Sequence, residues 1–142
     1  MKKVLLLLTI LGISGLLSAQ TLTKSQMIGH WRVQEVQLQE EILAKELGQE
    51  QLPANRLAAL KSMFASIEVV LRANHSADFL TEVPELNVRS GRWTYDAPAG
   101  VVTILDAQGE LVVRIEVLPE DRSIYFVVED FPGRLAVKRS PL

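Results

Sequence analysis

The chain has 142 residues, with 15 Lys or Arg against 17 Asp or Glu, and its formal net charge is −2. This length suffices for one domain with its own core and is too short for two. The absence of cysteine excludes disulfides, and the lack of any basic cluster beyond Lys138–Arg139 argues against nucleic acid as a partner.

The first residues have the organisation of a secretory signal peptide. Lys2 and Lys3 precede an apolar stretch at positions 4–17, and Ala19 supplies a small residue at the end. We expect cleavage after Ala19, so residues 1–19 are the signal peptide and residues 20–142 the domain. Cleavage one residue away, or an uncleaved anchor, is the alternative because Leu17 is large for its position before the cut.

Export follows from this interpretation. The domain would carry 13 basic and 17 acidic residues, a net charge of −4, and we expect it in the periplasm or outside the cell. The cysteine that a bacterial lipoprotein needs after its signal is missing, so we expect a soluble protein with no membrane anchor after processing.

The next segments predict one strand and a helical insert. Residues 29–38 alternate as a strand, and the apolar positions change phase near Gln34–Glu35, which indicates a bulge. Residues 39–66 differ in kind: Gln39–Leu47 is rich in helix formers, and Pro53 opens a second helical pattern. We expect one or two short helices between the first and second strands.

The remainder predicts a run of short antiparallel strands separated by turn residues. In the strand predicted over 110–117, Leu111, Val113, Ile115 and Val117 form one apolar face. Eight strands in up-and-down order predict a closed antiparallel barrel, and a two-sheet sandwich is the alternative. The expected strands are 29–38, 67–72, 76–81, 88–96, 101–105, 110–117, 123–129 and 134–139.

Several segments resemble the lipocalins and related calycins, and short bacterial lipocalin-like domains in particular. Gly29-His30-Trp31 is similar to their Gly-x-Trp signature, and the order of elements agrees over the whole domain. The resemblance implies that Trp31 lies across the closed end of the barrel under Arg139, with Gly29 beside it. It also implies that residues 39–66 lie over the open mouth. Further matching segments are Ser90–Trp93, the strand after Pro119–Asp121, and Leu135–Arg139.

No catalytic constellation can be assembled. The two histidines, His30 in a strand and His75 in a turn, have no cysteine partner and no spacing typical of a metal site. Neither a phosphate-binding glycine loop nor a serine elbow is present. We therefore expect a protein that is not an enzyme and has no cofactor and no metal.

The inward positions suggest where a ligand would bind. Phe79, Trp93, Tyr95 and Phe126 are expected to line the interior, and the Tyr95 hydroxyl could orient a ligand. A filled core is the alternative to a narrow apolar pocket. The resemblance favours a binder of a small hydrophobic molecule. The second hypothesis is an envelope protein-interaction module with a filled barrel, which a large exposed apolar face on residues 53–66 would favour.

Overall fold

The computed structural model describes residues 21–142, and the predicted signal peptide at 1–19 lies outside the described residues. The described chain contains three α-helices, one short 3-10 turn and eight strands. The helices are α1 (Lys24–Met27), α2 (Glu40–Glu46) and α3 (Ala54–Ala65), and the 3-10 turn is Pro84–Leu86. The strands are β1 (Gly29–Leu38), β2 (Glu68–Leu71), β3 (Ser76–Leu80), β4 (Val88–Asp96), β5 (Val101–Leu105), β6 (Leu111–Glu120), β7 (Ser123–Val128) and β8 (Gly133–Ser140).

The eight strands form one closed barrel. Each strand pairs antiparallel with the next in chain order, and β8 returns to pair with β1 through partners such as Trp31 and Arg139. This confirms the predicted up-and-down barrel and rules out the two-sheet sandwich. Closure leaves no unpaired strand edge in the sheet.

The helical insert between β1 and β2 is also confirmed. Glu40 and Glu41 lie in the first turn of α2 and Lys45 in its last, the arrangement that complements a helix dipole. α3 follows Pro53, whose fixed φ suits a helix start. A small second core holds the insert together, with Leu43, Ala44 and Leu52 buried against Leu38, Leu57 and Leu60.

Three irregularities shift the register of the barrel. One lies where β3 meets β4, between Ala77 and Phe79. Another lies between Val33 and Glu35 in β1 and confirms the predicted bulge. The third lies where β5 meets β6: Ile104 pairs with Val113, but Leu105 pairs with Leu111. The extra residue turns Leu111 outward, where 49% of it is exposed. The expectation that Leu111 shares the inner face with Val113 was therefore wrong, because a bulge reverses the alternation.

Side chains fill the inside of the barrel. Trp31 and Trp93 are buried, and the ring of Trp31 lies 5.2 Å from that of Phe126, centroid to centroid. Aliphatic residues from several strands close the remaining space, among them Leu71, Ile104, Ile115 and Leu135. Within residues 21–142, no helix combines the length and apolar character needed to cross a bilayer.

Candidate functional site

The end of the barrel where β1 begins is closed by the residues before β1. Met27 is buried there, and its carbonyl accepts a hydrogen bond of 2.8 Å from the Trp31 indole. The stem of Arg139 crosses directly over Gly29 and leaves no room for a side chain there: a Cβ atom at Gly29 would lie 2.7 Å from the Arg139 Cγ. Gly29, Trp31 and Arg139 thus meet at this closed end.

The Arg139 guanidinium is hydrogen-bonded to backbone carbonyls and does not stack on Trp31. Its guanidinium donates to the carbonyl of Gln26 at 2.6 Å and to that of Ile28 at 3.3 Å. In the described part of the chain the cation–π pairs are Lys24 with Trp93 and Arg134 with Tyr125. The stacking implied by the resemblance is therefore replaced, because carbonyls at the end of a helix attract a cation.

The four predicted ligand residues are not brought together. Trp93 donates its indole N–H to the Arg72 carbonyl at 2.8 Å, and Phe126 packs on Trp31. The Tyr95 hydroxyl donates to the Leu22 carbonyl at 2.6 Å, and burial raises the pKa of this phenol above its usual value. These three residues belong to the filled interior and its closed end, and only Phe79 reaches the cavity at the other end.

That cavity lies beneath α3, between the helix, the loop after β3 and the end of β7. Its volume is about 90 Å³. Thr81 is its one polar lining residue, and the Thr81 hydroxyl is already engaged with the backbone of Val83 at 3.0 Å, as donor and as acceptor. The cavity therefore offers a ligand apolar contact only. Its lining residues are Met63, Phe64, Ile67, Phe79, Thr81, Leu86 and Val128.

α3 covers this cavity without being deeply buried itself. None of its side chains is fully buried, and its closest aromatic contact joins Phe64 to Phe131 with 4.2 Å between ring centroids. The helix is anchored at its end by Ser66, whose hydroxyl donates to the Met63 carbonyl and accepts from the Glu82 N–H. Met63 and Phe64, near the end of α3, thus line one side of this cavity.

A larger groove runs along the rim but is more polar. It measures about 480 Å³ and is lined in part by Gln37, Gln39 and Arg134. The Arg134 guanidinium donates to Gln37 at 2.8 Å and to Glu120 at 3.0 Å, so these polar groups are satisfied by each other. The groove is therefore a less suitable ligand site than the cavity beneath α3.

The structure also contains polar groups that sequence reasoning did not single out. Asp78 is buried and accepts hydrogen bonds from Arg72 at 2.7 and 3.3 Å and from the Ser90 N–H at 2.8 Å. The hydrogen bonds from Arg72 lower the pKa of the Asp78 carboxyl below its usual value. Alternation alone places Asp78 outward, so the sequence carries no sign of its burial.

The histidines take part in separate pairs. His30 Nε2 lies 2.6 Å from a Glu68 carboxylate oxygen on the outside of the barrel, and His75 Nε2 lies 2.6 Å from Lys24 Nζ. Across residues 21–142, no three His, Cys, Asp or Glu side chains gather in a way that could hold a metal ion.

Comparison with known proteins yields no match to a family model, a curated protein or a solved structure. The likeness to lipocalins therefore rests on the residue pattern and on the closed eight-stranded barrel.

Proposed function

We propose that the protein is an exported, lipocalin-like binder that takes a small, slender hydrophobic molecule into the cavity beneath α3. The observation that carries this proposal is the contrast between the two ends of the barrel. One end is filled and closed by hydrogen-bonded residues, and the other keeps an apolar cavity under a helix with no fully buried side chain. The proposal includes no catalytic step.

The size of the cavity limits the ligand. Pockets for drug-sized ligands measure about 300–1,000 Å³, whereas this one has about 90 Å³. With α3 in this position, the cavity therefore accepts only the end of an alkyl chain or a similarly narrow group. A longer molecule must move α3 aside, which is feasible because α3 has no fully buried side chain and is held by partly buried contacts.

The charges around the opening favour a neutral or cationic polar end. Leu86 is 53% exposed and lines the cavity, and Glu82 and Glu85 are exposed on the same loop. Met63 and Phe64 mark the side of α3 that faces the cavity. By the geometry of an α-helix, the Lys61 side chain is rotated about 110° away from that side, so it does not face the cavity. A carboxylate at the opening would therefore meet negative charge first.

The proposal is tested by measuring the affinity of decanol, decanoate and decylammonium by calorimetry, with native mass spectrometry of each complex. Val128 lines the cavity, whereas its neighbour Val127 lines grooves on the outer wall. We expect Val128→Phe to weaken decanol binding by about tenfold or more, since it fills the cavity. The matched control Val127→Phe should bind as the wild type does.

The outcomes separate the parts of the proposal. Binding of none of the three probes would reject the binder, and equal loss of binding in the two valine variants would reject the cavity as the site. Decanoate binding more tightly than decanol and decylammonium would leave the cavity in place and reject the inference from charge.

The protein-interaction module remains the alternative proposal. It was expected to show a large exposed apolar face on residues 53–66. The large apolar side chains of α3 are not among the exposed ones; Leu57 and Leu60 pack on the second core and Phe64 on the barrel core. This observation favours the binder.

A further inference from the structure

Residues 22–28, which we call the strap, lie across the end of the barrel opposite α3. Met27 is buried, Leu22 and Ile28 pack against the barrel core, and the strap is also held through its backbone carbonyls. That of Leu22 accepts from Tyr95 at 2.6 Å, that of Gln26 from Arg139 at 2.6 Å, and that of Met27 from Trp31 at 2.8 Å. The donors belong to the barrel, so the strap is a separate element docked on its end.

One side-chain contact of the strap depends on the protonation state of its partner. Lys24 Nζ lies 2.6 Å from His75 Nε2. An ammonium group can only donate, so His75 Nε2 must carry a lone pair and the imidazole must be neutral, with its proton on Nδ1. Both groups also lie near Trp93: Lys24 Nζ is 5.8 Å from the centroid of its indole, and the His75 ring is 6.2 Å away.

In the described part of the chain, no carboxylate oxygen lies within ion-pair distance of the His75 ring. On the turn between β2 and β3, Arg72 is itself a cation, and it is already paired with the buried carboxylate of Asp78. β4 brings the ring of Trp93 and a further cation, Arg92, which stands opposite Ser76. Within residues 21–142, Lys24 is the one side chain hydrogen-bonded to the His75 ring. An imidazolium here would face cations.

We propose that Lys24 and His75 form a pH-sensitive clasp, which fastens the Lys24 turn of the strap to the barrel at neutral pH and loosens it when His75 is protonated. A proton on Nε2 removes the acceptor and places two positive charges in direct contact, which is repulsive. Histidine is the side chain that changes charge between about pH 5 and 8, while lysine stays protonated. Loosening the strap weakens its hydrogen bonds with Trp31 and Tyr95, and it does not depend on the ligand site at the other end.

The two tryptophans of the chain make a direct test possible. The Trp31 indole N–H is bonded to the strap, whereas the Trp93 indole N–H is bonded to Arg72 outside the strap. Nitrogen-15 NMR of the full chain resolves one indole signal for each. As the pH falls from about 7.5 to about 5, we expect the Trp31 signal to shift in a single step toward that of an indole without a protein partner.

Three variants identify the group responsible. His75→Asn removes the titrating ring, and asparagine tolerates the φ of 72° at this position. Lys24→Gln removes the opposing charge at an exposed site. The Trp31 step should disappear in both, and the control His30→Gln should keep it.

The result that overturns the clasp is a Trp31 signal that does not move with pH, or a step that persists in Lys24→Gln. Because Lys24 is exposed, this variant leaves the barrel core intact and remains informative if His75→Asn fails to fold. A step lost only in His30→Gln would assign the transition to the other histidine and also reject the proposal.

Discussion

Trp31 joins three parts of the molecule through one side chain. Its ring packs on Phe126 in the core, its indole N–H is bonded to the strap at Met27, and its backbone lies opposite Arg139 where the barrel closes. It is 1% exposed, so almost all of its apolar surface contributes to burial. These contacts place Trp31 in the structural end of the barrel.

Trp31→Ala should therefore lower the free energy of unfolding by about 3–5 kcal/mol, the usual cost of a buried Trp-to-Ala change. Urea denaturation at neutral pH measures this difference. The fraction that remains folded should still bind decanol with wild-type affinity, since Trp31 is not among the cavity residues. A variant with wild-type thermal stability would contradict the placement.

Asp78 links stability to pH. Its folded-state pKa is lowered, chiefly by the hydrogen bonds from Arg72, so its charged form stabilises the fold. An unperturbed aspartate titrates near pH 3.9. The stabilisation is thus fully present above that pH and is lost as the pH falls through the lower folded-state value.

Asp78→Asn should lower the free energy of unfolding at pH 7 by about 1–3 kcal/mol and weaken its fall in acid, as expected for a lost charge-assisted hydrogen bond. Urea midpoints at neutral and acidic pH test both effects. Glu129→Gln is the control, because the Glu129–Arg114 pair is about half exposed on both sides and such pairs contribute little. Equal losses at pH 7 in the two variants would refute the role of Asp78.

Single residues were predictable where alternation decides their direction. Trp93 and Phe126 were expected to line the interior, and both are buried. Asp78 and the Lys24–His75 pair could not be predicted, because each depends on a partner from another element: Arg72 and the Ser90 N–H in the first case, and the strap in the second.

Among the elements, α3 differs from the strands in how it is held. It has no buried side chain and no side-chain hydrogen bond at its N-cap, Pro53. Its stability depends on half-buried contacts with the second core and with Phe131. Helices of this kind open locally before the whole molecule unfolds.

We expect the amides of α3 to exchange with solvent about tenfold faster or more than those of β5, by local opening. Hydrogen-exchange mass spectrometry of peptides covering Ala54–Ala65 and Val101–Leu105 measures the ratio. Decanol should slow exchange in α3 and leave β5 unchanged. Equal protection of both segments would show that α3 opens only with the barrel and cannot act as a lid.

Two of the three register shifts show what element-level patterns can reveal. In β1 the apolar positions visibly change phase, so the irregularity between Val33 and Glu35 was predictable. In β6 the residues Leu111, Val112 and Val113 are all apolar, so an extra residue among them causes no visible change in the alternation of apolar and polar positions. Helix α1 was missed although Thr23 and Gln26 form a capping box, a signal legible in the sequence.

At the scale of the whole molecule, the number and order of strands followed from turn spacing, and closure was predicted from that number and not from the alternation itself. A period of two residues describes each strand separately and does not say which strands meet. The contact that closes the barrel pairs Trp31 with Arg139, far apart in the chain. The small volume left beneath α3 likewise depends on packing, which no sequence pattern measures.

The pairing of β1 with β8 has a consequence for the order of events during synthesis. β1 gains its second neighbour only when residues 133–140 have been made. Until then the nascent chain has two unpaired strand edges, cannot enclose an apolar molecule, and stays exposed to chaperones and proteases. A chain truncated before residue 133 therefore lacks the eighth strand and cannot close the barrel.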